Sequence, residues 1–468
     1  MCPDPVHHEE AKTRRIAKDF FASSCLRGEI FLVAAPLRRE IRGVFVGCRL
    51  PIKQNSVVFF SGCMERTPDS STESIRLYAY LAISALLSLA TWVLLLLPNF
   101  LEERHWSSQG IGWAIGVYYL VNLLFQILAG RLADRYGNVP TALAGTAVAF
   151  LGGFCYLAAL SVPAMILLAR ILHAAGAGMI FAGALMQLVK SVPLHLRGRM
   201  MGYYGLPGFV MMGVGPMLSE WFVYRWGFKV IFVSIPIICA AIAVILTRLP
   251  GPLAPQGRSP QPFSESLRAS LPGLRSVLAL SVFFGFSFSS WNSFLAPAVR
   301  GIGPGAVSAF GLGYALGAVL TRLGISHRLD SGPRRLWGIL SLVAYGLSLG
   351  LIPDAAFNWQ LAGLGLVCGM VHGIYYPSLS SIAAERFHPL HAGQAMSLYI
   401  SASALGMFVG PPIWGAFADR AGYPFMFVLA AAVLSVSALS FVFFQRRFSE
   451  GRRASESPRL RPPSEESI

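Results

Sequence analysis

Twelve stretches of mostly apolar residues recur along this chain, at 77–97, 110–130, 140–160, 163–189, 200–220, 228–247, 275–297, 304–325, 336–353, 359–383, 393–415 and 424–444. Roughly twenty such residues in a helix cross the hydrocarbon core of a bilayer. Gly and Pro inside them are no objection, because membrane helices tolerate both. Charge content agrees: the 468 residues are 54% hydrophobic and 13% charged, whereas a soluble domain is about 25% charged. A soluble chain of this length needs more polar surface than that. An ordinary cytosolic enzyme, a disordered chain and a fibre are excluded. The expected class is all-α, a polytopic membrane protein with twelve transmembrane helices.

An even number of crossings puts both termini on one side. Thirteen Lys and Arg lie in or beside the loops on that side, against five on the other. Cytoplasmic loops are the basic ones, so both termini are expected in the cytoplasm. The +16 formal charge then needs no nucleic-acid partner. The expected organisation is a poorly ordered N-terminal extension (1–76), a first bundle (77–247), a Pro-, Ser- and Gly-rich cytoplasmic linker (248–274), a second bundle (275–444) and a basic tail (445–468). Residues 1–63 show no helical or strand period and fit no signal peptide; a start at Met64 is as compatible with the sequence as one at Met1. The seven cysteines show neither metal-ligand nor disulfide spacing.

Shifted by 195 residues, the chain matches itself. Gly178 meets Gly373, Gly198 meets Gly393, Tyr204 meets Tyr399, and Gly215-Pro216 meets Gly410-Pro411. A shift of 196 brings Asp134 onto Asp330. Two parallel six-helix repeats are one plan for a transporter, with the substrate at midplane between them. Proline removes a backbone donor, so Pro216 and Pro411 are expected to kink or end their helices.

The run Gly130-Arg131-Leu132-Ala133-Asp134-Arg135-Tyr136-Gly137 resembles the loop 2–3 signature of the major facilitator superfamily. The match departs at Asn138 and Val139, where two basic residues are usual. The second copy, Arg328 to Arg335, is degenerate. Arg170-Ile-Leu-His173-Ala-Ala-Gly176-Ala-Gly178 is similar to the family's Arg-and-glycine motif, with Ala174 where Gly is common. Pro193 through Arg197-Gly198-Arg199, and Gly215-Pro216, resemble its loop 4–5 and span 5 signatures. The likeness covers about 75–445 and implies two bundles that rock about a central cavity. These motifs recur across many substrates, so they leave the subfamily open. The resemblance further implies that Asp134 faces the start of span eleven, near Gly393. A carboxylate at a helix N-terminus gains about 0.3–1 kcal/mol from the backbone dipole, and such a contact can belong to one conformation only. Gly130 and Gly137 are expected to let helices approach closely.

A cation at membrane depth costs at least about 2.5–3.5 kcal/mol, so Arg170 should face a cavity or a partner. His173 lies one turn further along the same face. Tyr118, Asn122 and Gln126 form one stripe on span two, read equally as cavity lining or as interhelical hydrogen bonding. His372, Tyr375 and Tyr376 on span ten, Trp291 and Asn292 on span seven, and the matched Tyr204 and Tyr399 are further candidates for a small-molecule pocket. Arg322 is expected to snorkel to the cytoplasmic interface. None of the 22 Asp and Glu lies at mid-span.

No Walker loop, nucleotide fingerprint, GxSxG or HExxH is present, so neither an enzyme nor an ATP-driven pump is expected. No metal or cofactor is expected either. The sequence favours a bacterial inner-membrane secondary transporter that exports a small organic compound, drug or metabolite, by proton antiport. The alternative is a symporter or exchanger of organic anions such as carboxylates, which Arg170 without an opposing carboxylate favours. A distant third is a receptor of the same fold that completes no cycle. The expected partners are a small-molecule substrate, protons and the lipid bilayer, and a monomer suffices to hold the pathway.

Overall fold

The computed structural model describes residues 70–192, 197–249, 263–324, 334–385 and 392–456. All lie in one compact unit, Pro68–Ile468. Helix α1 runs over 70–102, as Ser70–Trp92, a 3-10 turn Val93–Leu96, and Leu97–Glu102. Then come α2 (Ser108–Tyr136), α3 (Asn138–Ala158), α4 (Met165–Lys190), α5 (Arg197–Trp226) and α6 (Phe228–Arg248). The second series is α7 (Phe263–Ala298), α8 (Ala306–Gly324), α9 (Arg334–Gly350) and α10 (Asn358–Glu385), followed by the helical chain Ala392–Glu456. Gly422, at φ 81°, divides that chain into α11 (392–421) and α12 (423–456). Gly227, at φ 73°, divides α5 from α6 in the same way. A side chain in that left-handed region costs about 1–2 kcal/mol, so each turn takes glycine at the same point of the repeat.

Each apolar stretch read from the sequence lies on a helix, most of them with ends that agree to within a few residues. Among the described residues, nine helices are long and apolar enough to cross a membrane, the α11–α12 chain counting as one. Helix α8 is shorter. Helix α10 carries His372, Tyr375, Tyr376 and several serines, which lower its hydropathy. Leu124, Leu151, Phe154, Val244, Leu316, Leu347 and Val436 are exposed around the outside, as a lipid-facing surface requires.

Three expectations change. Helix α7 begins at Phe263, inside the stretch expected as linker. Helix α12 continues into the expected tail, to Glu456. Pro216 and Pro411 end neither of their helices and lie inside continuous ones. The adjoining glycines instead serve packing: a Cβ on Gly215 would lie 2.5 Å from Trp92 Cβ, and one on Gly410 2.8 Å from the Phe286 carbonyl oxygen.

The packing repeats as the sequence does. In the first bundle α1 lies on α5, α2 on α4, α3 on α4 and α3 on α6. In the second, α7 lies on α11, α8 on α10, α9 on α10 and α9 on α12. The bundles meet mainly through α2 against α11 and α5 against α8, a pair that the repeat exchanges. Where α2 crosses α11, a Cβ on Gly112 would lie 2.5 Å from the Pro411 carbonyl carbon. Where α5 crosses α8, one on Gly213 would lie 2.9 Å from Ala315 Cβ.

Candidate substrate pathway between the bundles

Arg170 stands in the second turn of α4 and is 5% exposed. Its Nε donates to the Ala114 carbonyl at 3.2 Å and a terminal nitrogen to that of Ile115 at 3.3 Å, both on α2. The guanidinium carbon lies 4.4 Å from the centroid of the Tyr118 ring. These partners are dipoles and a π face; among the described residues no carboxylate opposes the charge. Arg170 borders a small recess of about 20 Å³, room for about one water molecule, that is also lined by Thr91, Trp92, Tyr119 and Asn292. Trp92 and Tyr119 come from the first bundle and Asn292 from the second. Asn292 Nδ2 donates to the Tyr119 hydroxyl at 2.6 Å, and Trp92 stacks on Trp291 with centroids 5.9 Å apart. The recess thus sits where the bundles touch.

His173 is 1% exposed and lies edge-on to Tyr118 and Tyr156. Its Nδ1 is 3.4 Å from the Tyr156 hydroxyl, and its Nε2 has no partner among the described residues. In the second bundle, Trp291 Nε1 donates to Tyr345 at 2.8 Å, Tyr345 meets Tyr314 at 3.5 Å, and Tyr314 meets His372 Nδ1 at 2.5 Å. This chain ties α7, α8, α9 and α10 together. His372 also packs against Phe209 of α5. Arg322 lies over an aromatic ring: its guanidinium carbon is 4.6 Å from the Phe209 centroid, and its Nε has no partner among the described residues. Helix α8 turns Leu312, Leu316 and Leu320 outward, and Arg322 stands on the opposite side, two turns below Ala315.

Other expected residues fall elsewhere. Asn122 accepts from Gln126 at 2.6 Å and donates to the Ala174 carbonyl at 3.3 Å, so that part of the stripe holds α2 to α4. Tyr204 and Tyr399 are buried inside their own bundles rather than lining a cavity. Each backbone carbonyl there accepts a serine hydroxyl, from Ser84 and Ser281 respectively. Tyr375 is buried against Phe284, and Tyr376 packs on His372 and Tyr399. Gly137, at φ 96°, makes the α2–α3 turn, whereas a Cβ on Gly130 would meet nothing within 4 Å among the described residues. Asp134 is exposed and unpaired among the described residues, and Arg135 lies beside the Tyr136 ring. Asp330 and the loop before α11 lie outside the described residues.

Sequence reasoning passes over Tyr119, Tyr314, Tyr345, Glu220 and Asp419. The two carboxylates lie where the bundles meet, at the end that carries the α1–α2 turn, expected to be the outer face. Glu220, at the end of α5, is 4% exposed and accepts backbone N–H groups at the start of α8. Asp419, at the end of α11, does the same at the start of α2. Both sit at helix ends, where a search for acids at mid-span does not look.

A family model described as Major Facilitator Superfamily matches residues 79–326 and 278–466. The "Uncharacterized MFS-type transporter YhhS" of Escherichia coli (strain K12) is 27% identical over 362 residues, 74% of this chain and 86% of that one. Among solved structures, nucleoside transporter NupG is similar at a TM-score of 0.63 and 15% identity, covering 79% of this chain and 98% of that one. The human organic anion transporter MFSD10 (TETRAN) is similar at a TM-score of 0.60 and 18% identity, covering 80% and 100%.

Proposed function

Because this chain belongs to the major facilitator superfamily, and is thus a multi-pass membrane transporter rather than an enzyme, we propose that it carries small organic anions between its two bundles by alternating access. In this reading the chain crosses a bacterial inner membrane twelve times, with both termini in the cytoplasm, and works as a monomer by exchange or symport. The observation that carries it is Arg170: a buried guanidinium beside an interbundle recess, with no carboxylate against it among the described residues. An embedded cation is costly and marks a functional site by default; the carbonyls and ring that hold Arg170 leave its charge unneutralised for an anion to meet. Arg322, over Phe209 on the second bundle's side, is a second such cation. One structurally similar protein is titled an organic anion transporter; at 18% identity that likeness is one of fold, and the reading rests on the arginines.

The test uses pairs of ligands that differ only in charge, such as benzoate with benzamide and succinate with succinamide. A ligand that binds the folded state raises apparent stability. The carboxylates are expected to raise the melting temperature of the purified protein, and the amides are not. Arg170→Gln is expected to abolish the shift. An amide that stabilises as well as its acid, or an Arg170→Gln protein that keeps the shift, contradicts the reading. Proton antiport with export is the competing account of coupling. Substrate-dependent collapse of an imposed proton gradient in vesicles would favour it.

A further inference from the structure

At the expected outer face each bundle closes on the other through one carboxylate. Glu220 accepts the backbone N–H of Val307 at 3.2 Å and of Ser308 at 2.8 Å, together with the Ser308 hydroxyl. Asp419 accepts the N–H of Ser108 at 2.7 Å and of Gln109 at 2.9 Å. The first turn of a helix leaves its N–H groups unpaired and carries the positive end of the backbone dipole. In both places those donors are satisfied from the opposite bundle. Helices α5 and α11, which bring the carboxylates, are exchanged by the repeat, and so are α8 and α2, which receive them. Glu102 adds an ion pair with Arg300 at 3.2 Å and accepts the Tyr423 hydroxyl. Towards the opposite end α2 exposes Ile127 and Leu128, and α5 exposes Met201. A Cβ on Gly130, Gly202 or Gly205 would meet nothing within 4 Å among the described residues.

We propose that Glu220 and Asp419 are the positioning residues of the outer gate. Each holds one bundle's gate helix against the other's, and transport requires both caps to be surrendered to water and remade in every cycle. A cap within one bundle would survive rocking; a cap between bundles does not. The caps therefore weight the equilibrium towards the closed outer face rather than simply adding to stability. Neither residue touches the Arg170 recess, so the inference stands whatever the chain carries.

Spin-label distances without substrate test it. In a background with the native cysteines replaced, one label pair replaces Val162 and Phe357, exposed residues in the α3–α4 and α9–α10 turns of the expected outer face. A second pair replaces Pro140 and Leu336 at the opposite end. Glu220→Ala and Asp419→Ala are each expected to raise the ratio of long to short outer distances about tenfold, as loss of a helix cap implies. The double variant should go further, and the inner pair should shorten in step. Asp419→Glu, which keeps the charge, should retain the original distribution. Unchanged distances with a lowered melting temperature would overturn the proposal and leave the carboxylates as ordinary caps. Should Glu220→Ala fail to fold, Asp419→Ala, at an exposed position, carries the same test.

Discussion

Arg170 is held by two carbonyls and a ring face, none of which neutralises it. The carbonyls sit inside α2, within its own hydrogen-bond ladder. Arg170→Gln is therefore expected to fold, with a stability change within about 1.5 kcal/mol, the net worth of ordinary hydrogen bonds. Its effect on an anion should be larger: removing one partner of a buried charge pair costs about 2–5 kcal/mol, so affinity for a carboxylate should fall at least about thirtyfold in a titration. Arg322→Gln should weaken binding by less, because that side chain is only partly buried. Asn292→Leu removes the one bond to Tyr119 that crosses the bundles beside the recess. A net loss of about 1 kcal/mol should move the outer distance distribution about fivefold towards open, with little change in expression. An unmoved distribution would make Asn292 a contact within a permanently fixed surface.

At the scale of helices, the closed face depends on backbones that approach without side chains between them. A Cβ on Gly112 would lie 2.5 Å from the Pro411 carbonyl carbon, and one on Gly116 2.6 Å from the Phe408 carbonyl oxygen. Gly112→Val should therefore force α2 from α11, at about 1–3 kcal/mol for overpacking, and raise reaction of an Ile111→Cys thiol with an impermeant maleimide. Equal reactivity in both backgrounds would contradict the packing. The helices themselves are legible, because apolar runs and the 195-residue repeat survive in the sequence. Pro216 and Pro411 do not end their helices; a proline's lost donor is visible in sequence, but the neighbour that the adjoining glycine accommodates is not. Tyr204 and Tyr399 match in the repeat and are each buried inside their own bundle, where the backbone carbonyl of each accepts a serine hydroxyl.

At the scale of the whole molecule, the duplication explains more than the motifs do. It places α2 on α11 and α5 on α8, and it sets the glycine turns at Gly227 and Gly422. It hides the carboxylate pair, because Glu220 and Asp419 stand about one helical turn out of the register that the repeat otherwise keeps. Arg170 and His173 are legible as embedded polar residues; their partners are not, since they lie on other helices. The orientation expected from the loop charges is testable: a cysteine at Val162 should react with an impermeant reagent from outside intact cells, and one at Pro140 only after permeabilisation. The reverse pattern would invert the assignment of faces while leaving the gate geometry intact. The central claim is that an organic anion crosses by way of Arg170, and carboxylate flux in proteoliposomes tests it most directly. The account predicts saturable uptake or exchange of a labelled carboxylate, no flux of its neutral amide, and loss of transport in Arg170→Gln reconstituted at equal density. Flux that ignores the ligand's charge, or that persists undiminished in Arg170→Gln, would contradict it.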